Sequence, residues 1–133
     1  MLQLPGLPAG RVTLVNTVPS AMVELLRLGG LPASVRTVNL AGEPLRNALA
    51  QQLYRQETVP RVFNLYGPSE DTTYSTFALV ERGVDTAPTI GRPIANTRVY
   101  ILDAAGQPPP IGVPGEVYIG GAGLARGYLR RPD

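Results

Sequence analysis

The sequence has 133 residues, a formal charge of +2, and a composition 44% hydrophobic and 17% charged, which fits one globular domain and excludes a disordered chain. It contains neither cysteine nor histidine, so disulfides, thiol chemistry, the commonest metal ligand and every Ser-His or Cys-His nucleophile arrangement are excluded. The small net charge gives no argument for a nucleic-acid partner, and the apolar runs are too short for a membrane span.

Residues 1–5 have no basic start and no long apolar run, so a cytoplasmic chain without a secretory leader is expected. Fourteen prolines and fifteen glycines punctuate the apolar runs, predicting short elements and many loops. Residues 12–18 are β-branched and predict a strand. Pro19 and Ser20 open a helix to about residue 28, with Val23, Leu25, Leu26 and Leu28 as its apolar side and Gly29 and Gly30 as its stop. The unit recurs as a strand over 35–40 and a helix over 45–56, with Leu45, Leu49 and Leu53 on one face. Residues 62–65 predict a third strand. Strands joined by helices imply parallel pairing with right-handed crossovers. Further strands are expected over 72–80, 98–103 and 116–119 with no helices between them, hence an antiparallel, barrel-like second part. The boundary falls between residues 80 and 90. The expected fold class is therefore α/β, a parallel-sheet βαβ portion over 1–85 followed by a β-rich portion over 86–133.

Ligands of open α/β sheets sit beyond the carboxyl ends of the parallel strands. Those ends carry Asn16, then Asn39 with Ala41 and Gly42, then Asn64 with Leu65, Tyr66 and Gly67. Asparagine in apolar strands is costly to bury unless satisfied, so three at equivalent ends suggest a shared pocket, although asparagine also favours strand-to-turn transitions. The segment from Tyr66 to Thr73 is the richest in chemistry. Gly67 allows close backbone approach, Ser69, Thr72 and Thr73 offer hydroxyls, and Glu70 and Asp71 offer hard oxygen ligands suited to Mg²⁺ beside a phosphate. Tyr66 could stack on a base. A tight surface turn accounts for the same residues. The glycines at 120, 121, 123 and 127 form neither a Walker A loop nor a dinucleotide fingerprint, because Arg126 stands where the last glycine should be. Arg126, Arg130 and Arg131 read as a solvated cluster.

Five stretches, 16–20, 39–45, 64–73, 89–97 and 115–129, taken together in this order, resemble the adenylation (AMP-binding) domains of nonribosomal peptide synthetases, within the adenylate-forming superfamily. The resemblance implies a partial adenylate-forming fold, with a flavodoxin-like portion preceding the barrel-like one. It also implies a reaction joining an amino-acid carboxylate to the α-phosphate of ATP, with later transfer to the phosphopantetheine thiol of a carrier domain. Carried over residue by residue, Tyr66 stacks on adenine, Asn64 meets its amino edge and Gly42 forms the other wall. Ser69, where the family usually has threonine, holds the α-phosphate, and Glu70 binds Mg²⁺. The carbonyls of Gly67 and Thr73 receive the substrate ammonium. The side-chain pocket is lined by Asn16, Asn39, Ala41, Leu65, Thr73 and Tyr74, all neutral, which favours a small neutral amino acid.

The family's Ser/Thr/Gly-rich phosphate loop, its ammonium-pairing Asp, its Thr-Gly-Asp motif and its C-terminal Lys domain are not found in these residues. The resemblance therefore implies an internal fragment that is inactive alone and contains no residue identifiable as catalytic. Its partners would be the amino acid and the carrier and condensation domains of a parent synthetase. A fragment of an acyl- or aryl-CoA ligase, and a non-catalytic module retaining the fold, are the alternatives. The segment Leu124-Ala125-Arg126-Gly127-Tyr128 favours the peptide-synthetase wording.

Overall fold

The β-branched run near the N-terminus forms β1 (Leu14–Thr17) in the computed structural model, which describes residues 10–131. The expectation about a leader at residues 1–5 lies outside the described residues. The chain continues through α1 (Pro19–Arg27), β2 (Thr37–Leu40), α2 (Asn47–Arg55) and β3 (Arg61–Tyr66). A 3₁₀ turn (Ser69–Asp71) then leads to β4 (Thr76–Leu79), β5 (Arg92–Pro93), β6 (Thr97–Leu102) and β7 (Glu116–Gly121). Two compact units result: Met1–Tyr66 with Phe77–Gly91, and Gly67–Thr76 with Arg92–Asp133.

In the first unit β1, β2 and β3 pair in parallel, as the alternation of strands and helices predicts. The strand order is β1-β2-β3-β4, and Val80, just past β4, donates its N–H to the Val62 carbonyl at 2.9 Å. Pro19 starts α1 at a position where no intrahelical N–H is needed. Gly29 and Gly30 end it with φ of 123° and 85°, and the Gly30 N–H caps the Leu25 carbonyl at 2.9 Å.

The buried face of α1 differs from expectation. Pro19, Met22 and Leu25 are buried, whereas Val23 and Leu28 are exposed. Spacing by three aligns 19, 22 and 25 in one stripe, and Val23 lies a quarter-turn away from it. In α2 the expected face holds: Leu49 and Leu53 are buried, with Leu45 just before the helix. These side chains join Val15, Val38, Leu40 and Val62 in one core. Each fully buried side chain of this size contributes about 1.5–3 kcal/mol.

The second unit contains the antiparallel pair of β6 and β7, in register from Thr97 opposite Gly121 to Leu102 opposite Glu116. Asp103 closes the turn after β6 by accepting the N–H groups of Ala105 and Gln107 at 2.9 Å each. The strand expected over 72–80 begins only at Thr76. Before it, the Asp71 carboxylate accepts the Ser75 hydroxyl at 2.7 Å, and Thr72 and Thr73 take left-handed φ of 51° and 82°. Local side-chain bonds of this kind outcompete a strand ladder. Among the described residues no helix is long and apolar enough to cross a membrane.

Candidate functional site

Strand register sorts the candidate residues of the first unit into two sets. Asn16 lies opposite Asn39, and Asn39 opposite Phe63, so these three share one face of the parallel sheet, and Leu65 follows Phe63 on that face by alternation. Ala41 continues the phase of Asn39 just past β2, its N–H held by the Thr17 carbonyl at 3.2 Å. Asn64 instead lies opposite Leu40, on the face that carries Val15, Val38 and Val62. The expectation that the three asparagines converge on one pocket is therefore corrected: Asn16 and Asn39 share a face and Asn64 points away from it. Equal position along the strand does not imply equal parity.

Asn64 is buried and donates from its side-chain amide to the Thr89 carbonyl at 2.9 Å. Tyr66 has the same parity and is exposed at the strand end. Gly42 sits in the turn after β2 with φ of 80°, and a Cβ there would lie 3.5 Å from the Val18 side chain. Beside it, Glu43 accepts the Ser20 N–H at 2.9 Å and the Ser20 hydroxyl at 2.7 Å. Val18, the N-cap of α1, makes no side-chain cap bond, so Glu43 supplies from 23 residues away the acceptor that the helix start lacks. Sequence reading gave Glu43 no role, because the contact joins two strand ends that only pairing of β1 with β2 makes neighbours.

In the second unit, the turn from Gly67 to Ser75 folds back on itself. A Cβ on Gly67 would stand 2.7 Å from the Thr73 carbonyl oxygen, the Ser75 nitrogen and the Tyr74 Cα. Only glycine permits this approach. Thr73 is exposed and Tyr74 half-buried. Ser69 and Glu70 are exposed on the 3₁₀ turn, and Asp71 beneath them is buried. The Glu70 carboxylate accepts the Tyr128 hydroxyl at 2.9 Å. Its own backbone N–H, and then the Tyr128 hydroxyl, hold the Glu70 carboxyl below the ordinary glutamate value. Among the described residues no group of three or more acidic side chains is placed to hold a metal alone. Glu70 offers one exposed carboxylate, and Mg²⁺ is commonly held by one or two carboxylates together with phosphate oxygens. Tyr128 escaped sequence reading because 58 residues separate it from Glu70.

A cavity of about 720 Å³ in the first unit, lined by Asn47, Gln51, Tyr54 and Arg82 among others, lies apart from these residues. Three of its polar side chains are bonded to backbone carbonyls: Asn47 donates to the Val84 carbonyl, Gln51 to the Glu81 carbonyl, and Arg82 to the Tyr54 carbonyl.

The chain is similar to proteins of known kind along its whole length. It is 66% identical over 132 residues to one of the linear gramicidin synthase proteins of Brevibacillus parabrevis, covering 98% of this chain and 3% of that protein. To the AMB antimetabolite synthetase AmbB of Pseudomonas aeruginosa it is 50% identical over 136 residues, covering 100% of this chain and 11% of the relative. The chain thus spans only a small part of the length of these relatives. Among solved structures, a four-domain nonribosomal peptide synthetase bound to AMP and glycine superimposes with a TM-score of 0.79 at 35% identity. That alignment covers 93% of this chain and 9% of the other. The family described as AMP-binding enzyme matches residues 6–129. With that match running from before β1 to beyond β7, over the same five stretches that the sequence singles out, this chain belongs to the AMP-binding enzyme family.

Proposed function

We propose that the chain is part of an amino-acid-activating domain, which forms an aminoacyl adenylate from ATP and an amino acid for nonribosomal peptide synthesis in the cytoplasm. The observation that carries this reading is the division of the first unit's strand ends by parity. Asn16, Asn39 and Leu65 share one face and Asn64 and Tyr66 the other, which suits two ligands of different chemistry. In the reaction a carboxylate oxygen of the amino acid attacks the α-phosphorus. The bond from that phosphorus to the bridging oxygen breaks, and pyrophosphate leaves with the bond's electron pair. Carrier and condensation domains of a parent synthetase would be the partners, and a carrier-borne phosphopantetheine thiol would take the aminoacyl group.

Each residue has a task in this reading. Tyr66 stacks on adenine, Asn64 meets its amino edge, and Gly42 offers a flat backbone wall. The Ser69 hydroxyl donates to the α-phosphate, and Glu70 would hold Mg²⁺, which supplies neutralisation of phosphate charge when bound. The Gly67 and Thr73 carbonyls accept the substrate ammonium, and the tight packing of the Thr73 carbonyl against the Gly67 α-carbon supports placing both in one short turn. Side-chain recognition falls to Asn16, Asn39, Ala41, Leu65, Thr73 and Tyr74. None of them is charged, so a charged side chain would go unpaired at high cost, and a small neutral amino acid such as alanine or glycine fits best. The solved relative with bound glycine supports the same class.

All twelve basic residues of the chain are arginine. The lysine on which the family relies to stabilise the forming adenylate therefore cannot come from these residues, and no residue here is assigned as catalytic. The 133-residue chain alone is expected to show no amino-acid-dependent ATP–pyrophosphate exchange. Spliced into the corresponding place of a relative's complete adenylation domain, it is expected to support exchange with small neutral amino acids. A folded chimera without exchange, or one preferring charged or aromatic substrates, would refute the respective part of the reading.

A further inference from the structure

Within the second unit, residues 121–128 lie along the turn from Gly67 to Ser75 and bond to it at Glu70 and Thr72. The Ala125 N–H donates to the Glu70 carbonyl at 2.7 Å, the Thr72 hydroxyl donates to the Gly123 carbonyl at 2.6 Å, and the Tyr128 hydroxyl donates to Glu70 Oε1 at 2.9 Å. Gly123 packs against Asp71 so closely that a Cβ would stand 2.7 Å from its Oδ1. That oxygen is buried without a hydrogen-bond partner, while the Ser75 hydroxyl is bonded to the same carboxylate. The turn these contacts hold has two consecutive β-branched residues at positive φ, 51° at Thr72 and 82° at Thr73. Such a conformation persists only where its surroundings over-determine it.

From this geometry we propose that Tyr128 is a positioning residue for Glu70, selecting the one carboxylate orientation in which the oxygen it does not hold faces a divalent cation chelated by a polyphosphate. The proposal rests on the reading of Glu70 as a cation ligand. An exposed glutamate otherwise samples many rotamers, and fixing one in advance lowers the entropic cost of coordination. The other contacts of residues 121–128 hold the Glu70 carbonyl, the Thr72 hydroxyl and the Asp71 side chain, and of this segment the Tyr128 hydroxyl is the group bonded to the Glu70 carboxylate.

The test uses the full 133-residue chain and its Tyr128→Phe variant. One measurement is ATP affinity by calorimetry with Mg²⁺ and again with excess EDTA. The other is the pH titration of the Glu70 carboxyl by carbon NMR. Tyr128→Phe is expected to weaken ATP binding in Mg²⁺ about five-fold, the worth of one ordinary hydrogen bond. It should leave ATP binding in EDTA unchanged and move the Glu70 titration upward. Tyr118→Phe, on β7, is expected to match the unsubstituted chain in all three. Equal losses with and without Mg²⁺ in Tyr128→Phe would show a general structural role and overturn the proposal. An unmoved Glu70 titration would overturn it alone, leaving the cation reading intact. If the unsubstituted chain binds ATP no better with Mg²⁺ than without, the cation reading of Glu70 falls and the proposal with it.

Discussion

Glu43 holds Ser20 by both the main chain and the side chain, through separate carboxylate oxygens at 2.9 and 2.7 Å. The contact ties the turn after β2, which contains Gly42, to the first turn of α1. Replacing Glu43 by Ala removes the acceptor from an otherwise uncapped helix start, and a loss of about 1 kcal/mol is expected. Glu43→Gln keeps one acceptor oxygen and should lose less, with a smaller dependence on salt. Urea denaturation at low and high ionic strength measures both.

Tyr54 performs a similar task inside the core. Its hydroxyl donates to the Val80 carbonyl and accepts the Val62 N–H, so one buried oxygen bridges β3 and the chain following β4. Tyr54→Phe leaves both backbone groups without a partner in an apolar setting. A loss of about 2–4 kcal/mol is expected from two unsatisfied groups, together with faster hydrogen exchange at the Val62 amide. Unchanged exchange there would show that the bridge is dispensable.

Gly67→Ala places a methyl group 2.7 Å from three backbone positions of the returning turn. The Thr73 carbonyl must move, because it cannot share that space. A loss of about 1–3 kcal/mol is expected from overpacking. In an active chimera the amino-acid KM should rise more than the ATP KM, since on the proposed reading the displaced carbonyl receives the ammonium. Steady-state exchange kinetics separate the two constants.

The link between Glu70 and Tyr128 has a pH signature at both ends. Hydrogen bonding to Glu70, and then its negative charge, raise the Tyr128 phenol above its ordinary value. A raised phenol contributes its stabilisation below the unfolded value and loses it as pH climbs through the folded one. The depressed Glu70 carboxyl behaves oppositely: its contribution is present above the unfolded value and vanishes as pH falls through the folded one. Glu70→Gln should therefore bring the Tyr128 titration down toward that of a free phenol. Ultraviolet difference spectra or ring-resolved NMR would show it.

Much of this was legible in the residues. The two βαβ turns, their parallel pairing and the antiparallel β6 and β7 follow from where β-branched runs, leucine spacing and glycine stops fall. What escaped depended on phase and on distance along the chain. Val23 and Leu28 are apolar enough for the core, but Met22 and Leu25 hold the stripe that meets the sheet. The three asparagines occupy similar strand ends, yet one residue of register sends Asn64 to the opposite face. The start of β4 was missed because Asp71 and Ser75 prefer each other to a ladder. Tyr128 and Glu43 act on partners that no local pattern connects to them.

The parity of the parallel strands has an evolutionary consequence. On the proposed assignment, the positions that choose the amino acid and those that grip the nucleotide alternate along β3 without sharing a face. Leu65 can change while its neighbours Asn64 and Tyr66 keep their places, and Asn16 and Asn39 can change as a facing pair without disturbing Val15 or Val38 in the core beneath. Such a sheet can be given a new substrate by exchanging every second residue. The inherited chemistry and the stability of the scaffold stay on the other parity, out of reach of the change.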